Sequence, residues 1–247
     1  MTTPGALGIC LVIGAGDGLG RAIANVFAKA GHPVVLTRRP RNLPQLEAAV
    51  EAIRAQGGIA YAKGVDARSE EDMIALFAEI ERDLGPIEIV VFNIGANVRF
   101  GIVETTARVF TKVWEMACFA GFLTGREAAK YMVPRQAGTI LFTGATASTR
   151  GREGFAAFAA AKAGLRALAQ SMARELGPQN IHVAHIICDG AIDGVFSRGN
   201  IPDIDQRLAE DRVLHPDQIA QNYLMLHRQH RSAWTHELDL RPWSETW

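Results

Sequence analysis

Gly14, Gly18 and Gly20 sit in Leu11-Val12-Ile13-Gly14-Ala15-Gly16-Asp17-Gly18-Leu19-Gly20-Arg21-Ala22-Ile23, where an apolar run passes straight into a helical pattern. Residues without a Cβ allow a sharp turn and close helix–strand packing, and the first N–H groups of the new helix point at an anion. The spacing is G-x-x-x-G-x-G, with Leu19 where G-x-G-x-x-G has its third glycine. A dinucleotide is the ligand such a loop implies; a bare strand-to-helix turn is the alternative. A second candidate is Lys162, which interrupts the apolar stripe Phe158, Leu165, Ala169, Met172 and Leu176 of one long helix. An ammonium in that stripe needs a partner or a route to water.

The elements that must hold these residues alternate strictly. Strand-length apolar runs at Gly8–Ile13, Pro33–Thr37, Ile59–Val65 and Ile87–Phe92 are separated by helical patterns at Arg21–Ala30, Leu43–Gln56 and Glu70–Leu84. A helix over Val109–Tyr131, a strand at Thr139–Thr143, a helix from about Phe155 to Leu176 and a strand at His182–Ile187 continue the series. Such alternation predicts an α/β fold with a doubly wound parallel sheet. Gly31 and Gly57-Gly58 mark helix ends, and Ser69 precedes an acidic first turn. Asp193–Asp205 has no clear periodicity and reads as a mobile loop able to close over a ligand. Trp114, Phe119, Phe122 and Phe142 read as packing rather than an aromatic cage.

The chain of 247 residues suits one domain, 1–247, with no repeat or Pro-rich linker. Its 26 Lys and Arg equal its 26 Asp and Glu, so no net field draws nucleic acid or an anionic membrane. Met1–Gly5 lacks a basic segment followed by an apolar stretch, and the expectation is a soluble, cytoplasmic protein without a membrane span. Cys10, Cys118 and Cys188 form no C-x-x-C and are expected as buried thiols. His227 and His230 share a late helix, but no His/Asp/Glu cluster shows ligand spacing, so no metal is expected.

With the loop on a strand–turn–helix unit, the chain resembles the short-chain dehydrogenase/reductase family from about Gly8 to the C-terminus. Gly14 to Gly20 resembles that family's T-G-x-x-x-G-x-G with Ile13 for Thr, and Phe92-Asn93-Ile94-Gly95 resembles its N-N-A-G. Asp66 matches the acid or amide used at the adenine ring; Gly190-Ala191-Ile192 stands at the P-G motif with Asp189 replacing Pro. The resemblance implies a Rossmann-type fold with a nicotinamide cofactor held by Gly14, Asp17, Gly18, Leu19, Gly20, Asp66, Asn93, Gly95, Lys162, Gly190 and Ile192. An NAD site needs a carboxylate after the second strand, where this chain has Arg38-Arg39. Those guanidiniums suit a 2′-phosphate, so NADP is expected over NAD, although Asp17 nearby weighs mildly against it.

Family catalysis uses a Tyr acid, a Lys that lowers its pKa and holds the ribose, a Ser that orients the carbonyl, and an Asn on the preceding helix. The Y-x-x-x-K segment here reads Phe158-Ala159-Ala160-Ala161-Lys162, Ala145 falls at the Ser and Cys118 at the Asn. Only Lys162 remains. The hydroxyls and thiol nearby are Thr143, Thr146, Ser148 and Cys118, while Tyr61, Tyr131 and Tyr223 are not obviously near the nicotinamide. The resemblance therefore implies an oxidoreductase acting on a small organic substrate with an atypical site, or else a dinucleotide-binding module without turnover. Trp243 and Trp247 near the C-terminus, where the family often builds its interface, point to a homodimer or homotetramer.

Overall fold

Seven strands lie side by side in one parallel sheet of order β3-β2-β1-β4-β5-β6-β7 in the computed structural model, which describes residues 7–246. Met1–Gly5 and Trp247, on which the sequence expectations about a leader and an interface rest, lie outside the described residues. The strands are β1 (Ile9–Ile13), β2 (Val34–Arg38), β3 (Ala60–Gly64), β4 (Ile87–Phe92), β5 (Gly138–Ala145), β6 (Ile181–Cys188) and β7 (Glu237–Leu240). The helices are α1 (Leu19–Lys29), α2 (Leu43–Arg54), α3 (Glu70–Asp83), α4 (Ala107–Trp114), α5 (Ala120–Arg135), α6 (Ala156–Leu176), α7 (Val195–Asn200), α8 (Ile204–Ala209) and α9 (Pro216–His227).

β1 and β6 are buried along their whole length, because helices cover both faces. One core packs α1, α2 and α9 against Cys10, Val12, Ile89 and Val91; the other packs α3, α5 and α6 against Leu11, Ile13, Val90 and Phe92. After β3 the chain crosses back to lay β4 beside β1, creating the crevice at the strand ends where doubly wound sheets bind ligands. Register brings Ile13 level with Thr37 on one side and Phe92 on the other, so Gly14, Arg38 and Asn93 emerge at one edge.

Helix ends follow local chemistry. Ser69 Oγ accepts from the Asp72 amide at 3.1 Å to cap α3, and Thr106 Oγ1 accepts from the Val109 amide at 3.2 Å to start α4 two residues earlier than the periodicity implies. The helix expected over Val109–Tyr131 is α4 and α5 joined by a π-helical turn, Glu115–Phe119, which carries Cys118. Asp193–Asp205 is not a loop: it contains α7 and the start of α8, and Ser197 Oγ fixes it to the Ile192 carbonyl at 2.6 Å. Six-residue helices are too short to show a period.

The aromatic expectation also needs correction. Phe142 is core, but Trp114 and Phe122 are 41% and 39% exposed, stacking through Phe119 with centroids 5.9 and 6.1 Å apart. At the opposite end of the sheet from the crevice, His32, Glu88 and His227 converge, a cluster that spacing along the sequence did not reveal. Among the described residues no helix is long and apolar enough to cross a membrane, and the three cysteines are free and buried.

Candidate active site

The glycine loop follows from its crowding. Gly14 has φ +92°, and a Cβ there would meet Ile94 Cγ1 at 2.9 Å; at Gly20 it would meet the Gly14 carbonyl oxygen at 2.6 Å. The amides of Gly14 and Ala15 donate to the Thr37 carbonyl, and Asn93 Nδ2 donates to the Gly14 carbonyl at 3.1 Å, clamping the loop to the strand ends. A Cβ at Gly16 would instead meet nothing within 4 Å, and α1 begins at Gly18 without a side-chain cap. Of the first amides of α1, that of Arg21 donates to the Gly16 carbonyl at 3.1 Å, and those of Leu19 and Gly20 are left for a ligand in the cleft.

That cleft, of about 890 Å³, is lined by every residue named from the sequence for cofactor binding. Beyond β2, Arg38 Nη1 lies 3.6 Å from Asp17 Oδ2, a half-exposed pair. Arg39 makes no ion pair among the described residues; burial, then repulsion from Arg41 and Arg68, lowers its pKa. Asp66 lines the cleft already paired with Arg68, which donates to it through Nε at 2.9 Å and Nη2 at 2.5 Å and leaves its other lone pairs toward the cleft. Its hydrogen bond to Arg68 holds the carboxyl below its ordinary range. Arg68 was not singled out from sequence.

On α6, Lys162 is 2% exposed, and its Nζ donates to the carbonyls of Thr143 at 2.8 Å and Ile94 at 3.1 Å. Burial pushes its pKa down to about 8, with the Cys188 and Cys118 thiols opposing. Phe158 lies one turn earlier on the cleft wall with its ring centroid 5.9 Å from Nζ, and Ala145 lines the cleft where the Ser was expected. Cys118 does not line the cleft: it faces Gly164, where a Cβ would meet its Sγ at 3.0 Å, and burial raises its pKa despite Lys162.

The hydroxyls near Lys162 are engaged. Thr143 Oγ1 is 2.7 Å from Tyr223 Oη, a phenol buried behind the strand whose pKa burial raises far above normal. Ser148 Oγ accepts from the Ala145 amide at 3.1 Å. Thr146 Oγ1 donates to Asp189 Oδ1 at 2.7 Å. Asp189, the residue in place of Pro, is fully buried and also takes Arg150 Nη1 and Nη2 at 2.9 and 3.0 Å. Burial raises its pKa, but Thr146, Arg150 and Arg241 more than offset this and hold it below its ordinary value. Arg150 and Thr146 line the cleft. Asp189 departs from the family's Pro already at the level of sequence, and a buried carboxylate implies cations, but only the fold shows which. Asp189→Ala is expected to cost about 3 kcal/mol, the low end for breaking a buried pair, since Arg150 still reaches water. A fall in urea midpoint checks this; an unchanged midpoint would show the cluster contributes nothing.

The profile of the short chain dehydrogenase family matches residues 8–202. The chain belongs to that family. This short-chain dehydrogenase is 32% identical over 176 residues to a short-chain dehydrogenase/reductase of Armillaria gallica, covering 71% of this chain and 67% of that one. The crystal structure of a short-chain dehydrogenase from Rhodopseudomonas palustris matches with TM-score 0.82 and 47% identity over 96% of this chain and 99% of that one. A 7α-hydroxysteroid dehydrogenase, solved with NADH and 7-oxo glycochenodeoxycholic acid, matches with TM-score 0.85 and 27% identity over 94% and 92%.

Proposed function

We propose that this short-chain dehydrogenase binds NADP(H) in the cleft and transfers hydride to or from a small organic substrate without a phenolic acid. The residues present fit the cofactor: an uncapped helix start, room beside Gly16, the Arg38-Arg39 pair, and a buried Lys162 able to meet ribose hydroxyls. When bound, the nicotinamide supplies or accepts the hydride. In this reading the glycine loop holds the diphosphate, Arg39 holds the 2′-phosphate, and Lys162 fixes the ribose. Cytoplasm is the expected compartment, and a homodimer or homotetramer the expected assembly, with Trp243, 77% exposed, as a contact.

The observation that carries the reading is Phe158 filling the acid's position beside an intact, buried Lys162. Neither hydroxyl beside Lys162 on the cleft wall is free to act as the acid: Thr146 donates to Asp189, and Thr143 is hydrogen-bonded to Tyr223. Reduction of an activated C=C, or a proton drawn from water or the substrate, asks least of such a site. The same absence favours a second reading, a binding module without turnover. A panel of carbonyl and enoyl compounds, followed by nicotinamide absorbance, separates them. Slow ketone turnover with measurable enoyl turnover is expected; no oxidation of bound cofactor by any compound would leave the binding module.

A further inference from the structure

His32 in the α1–β2 turn, Glu88 on β4 and His227 at the end of α9 bring one nitrogen each and one carboxylate oxygen within 4.8 Å of one another. His227 Nε2 lies 3.6 Å from Glu88 Oε1, and His32 Nδ1 lies 3.8 Å from Glu88 Oε2. Ligand atoms about 2.1 Å from one tetrahedral zinc ion are about 3.4 Å apart, so the two His–Glu88 separations are close to that spacing, and the rest of the set, within 4.8 Å, must draw in to close on one ion. The groups are also oriented. His227 Nδ1 is 3.0 Å from Thr139 Oγ1, which turns Nε2 toward the carboxylate, and the Gly8 amide donates to Glu88 Oε2 at 2.8 Å. Hydrogen bonds from the far side of the ligands are what hold metal-binding imidazoles and carboxylates in place.

Burial and wall chemistry point the same way. His32 is 4% exposed, its ring meets that of His227 edge-on at 5.3 Å, and Phe27 packs against both. The Glu88 side chain, 37% exposed, leaves a path from solvent.

We propose that His32, Glu88 and His227 bind one divalent transition-metal ion of the zinc class, with water completing its shell. Two imidazoles and one carboxylate suit zinc and its d-block neighbours, whereas calcium and magnesium take oxygen ligands. On binding, His32 exchanges its Nδ1 hydrogen bond to the Gly8 carbonyl, 2.9 Å long, for the metal bond, and its ring proton moves to Nε2. The ion ties the end of α9 to β4 and to the α1–β2 turn, at the end of the sheet opposite the cleft.

The test uses the full chain stripped with a chelator and titrated with Co²⁺, then Zn²⁺. One Co²⁺ per chain with visible absorption, its displacement by Zn²⁺, and a zinc-dependent rise in melting temperature are expected. His227→Gln and Glu88→Gln should each weaken binding at least roughly 100-fold, and Thr139→Val about 10-fold. Both Gln variants sit at partly exposed side chains, so they remain informative if a variant of the buried His32 fails to fold. No saturable binding by the parent, or binding unchanged in both Gln variants, would overturn the proposal.

Discussion

The double variant Phe158→Tyr, Ala145→Ser is expected to reduce ordinary ketones about 10²–10⁴-fold faster than the parent, the usual contribution of a positioned acid. Phe158 differs from Tyr only by the hydroxyl, its ring is on the cleft wall, and Lys162 is fixed one turn away by two backbone carbonyls. A cation there favours the phenolate and brings a new phenol's pKa down toward the working range. Each single variant should gain less than its share, because such groups act as a unit. The readout is steady-state kcat/KM with NADPH over a carbonyl panel. If the double variant binds NADPH yet reduces nothing, the latent-reductase reading fails; if the parent already matches it, another group donates the proton.

Arg39→Ala is expected to weaken NADPH binding about 10- to 100-fold, the loss of a charge-assisted bond, while leaving NADH nearly unchanged. Arg39 lines the cleft, and its guanidinium is crowded by Arg41 and Arg68, a repulsion that a dianionic phosphate relieves. Arg38→Ala should do less, since Arg38 already faces Asp17 at 3.6 Å. Isothermal titration of both cofactors against both variants measures this. Equal affinities of the parent for NADPH and NADH, unchanged in Arg39→Ala, would refute the clamp.

The sheet was readable in the sequence because parallel strands buried on both faces appear as short apolar runs, and runs such as Ile87–Phe92 end where turns begin. The glycine loop and the Phe158–Lys162 pair were readable because their chemistry is local, one turn of chain or helix. What escaped was short or long-range. Six-residue α7 and α8 leave no periodic trace, and a π-helical turn inside a long helix does not alter its apolar pattern enough to be seen. Trp114 and Phe122 occupy helical spacing that fits a core, yet they stack outward, because which face of α4 and α5 meets the sheet is settled by packing. Asp66–Arg68 lies two residues apart, but Asp189–Arg150 and His32–Glu88–His227 join segments that only the crossovers bring together.

The cleft is proposed to hold a nicotinamide dinucleotide with its diphosphate on the glycine loop. Titration of NADPH into the parent and into Gly16→Asp, read by calorimetry, tests it most directly. A Cβ at Gly16 has nothing within 4 Å, so the variant should fold and melt like the parent while placing a carboxylate against the diphosphate. The account predicts saturation at one NADPH per chain with a dissociation constant on the order of micromolar for the parent and at least tenfold weaker binding to Gly16→Asp. A folded parent that binds neither NADPH nor NADH, or equal binding by the two proteins, would contradict it.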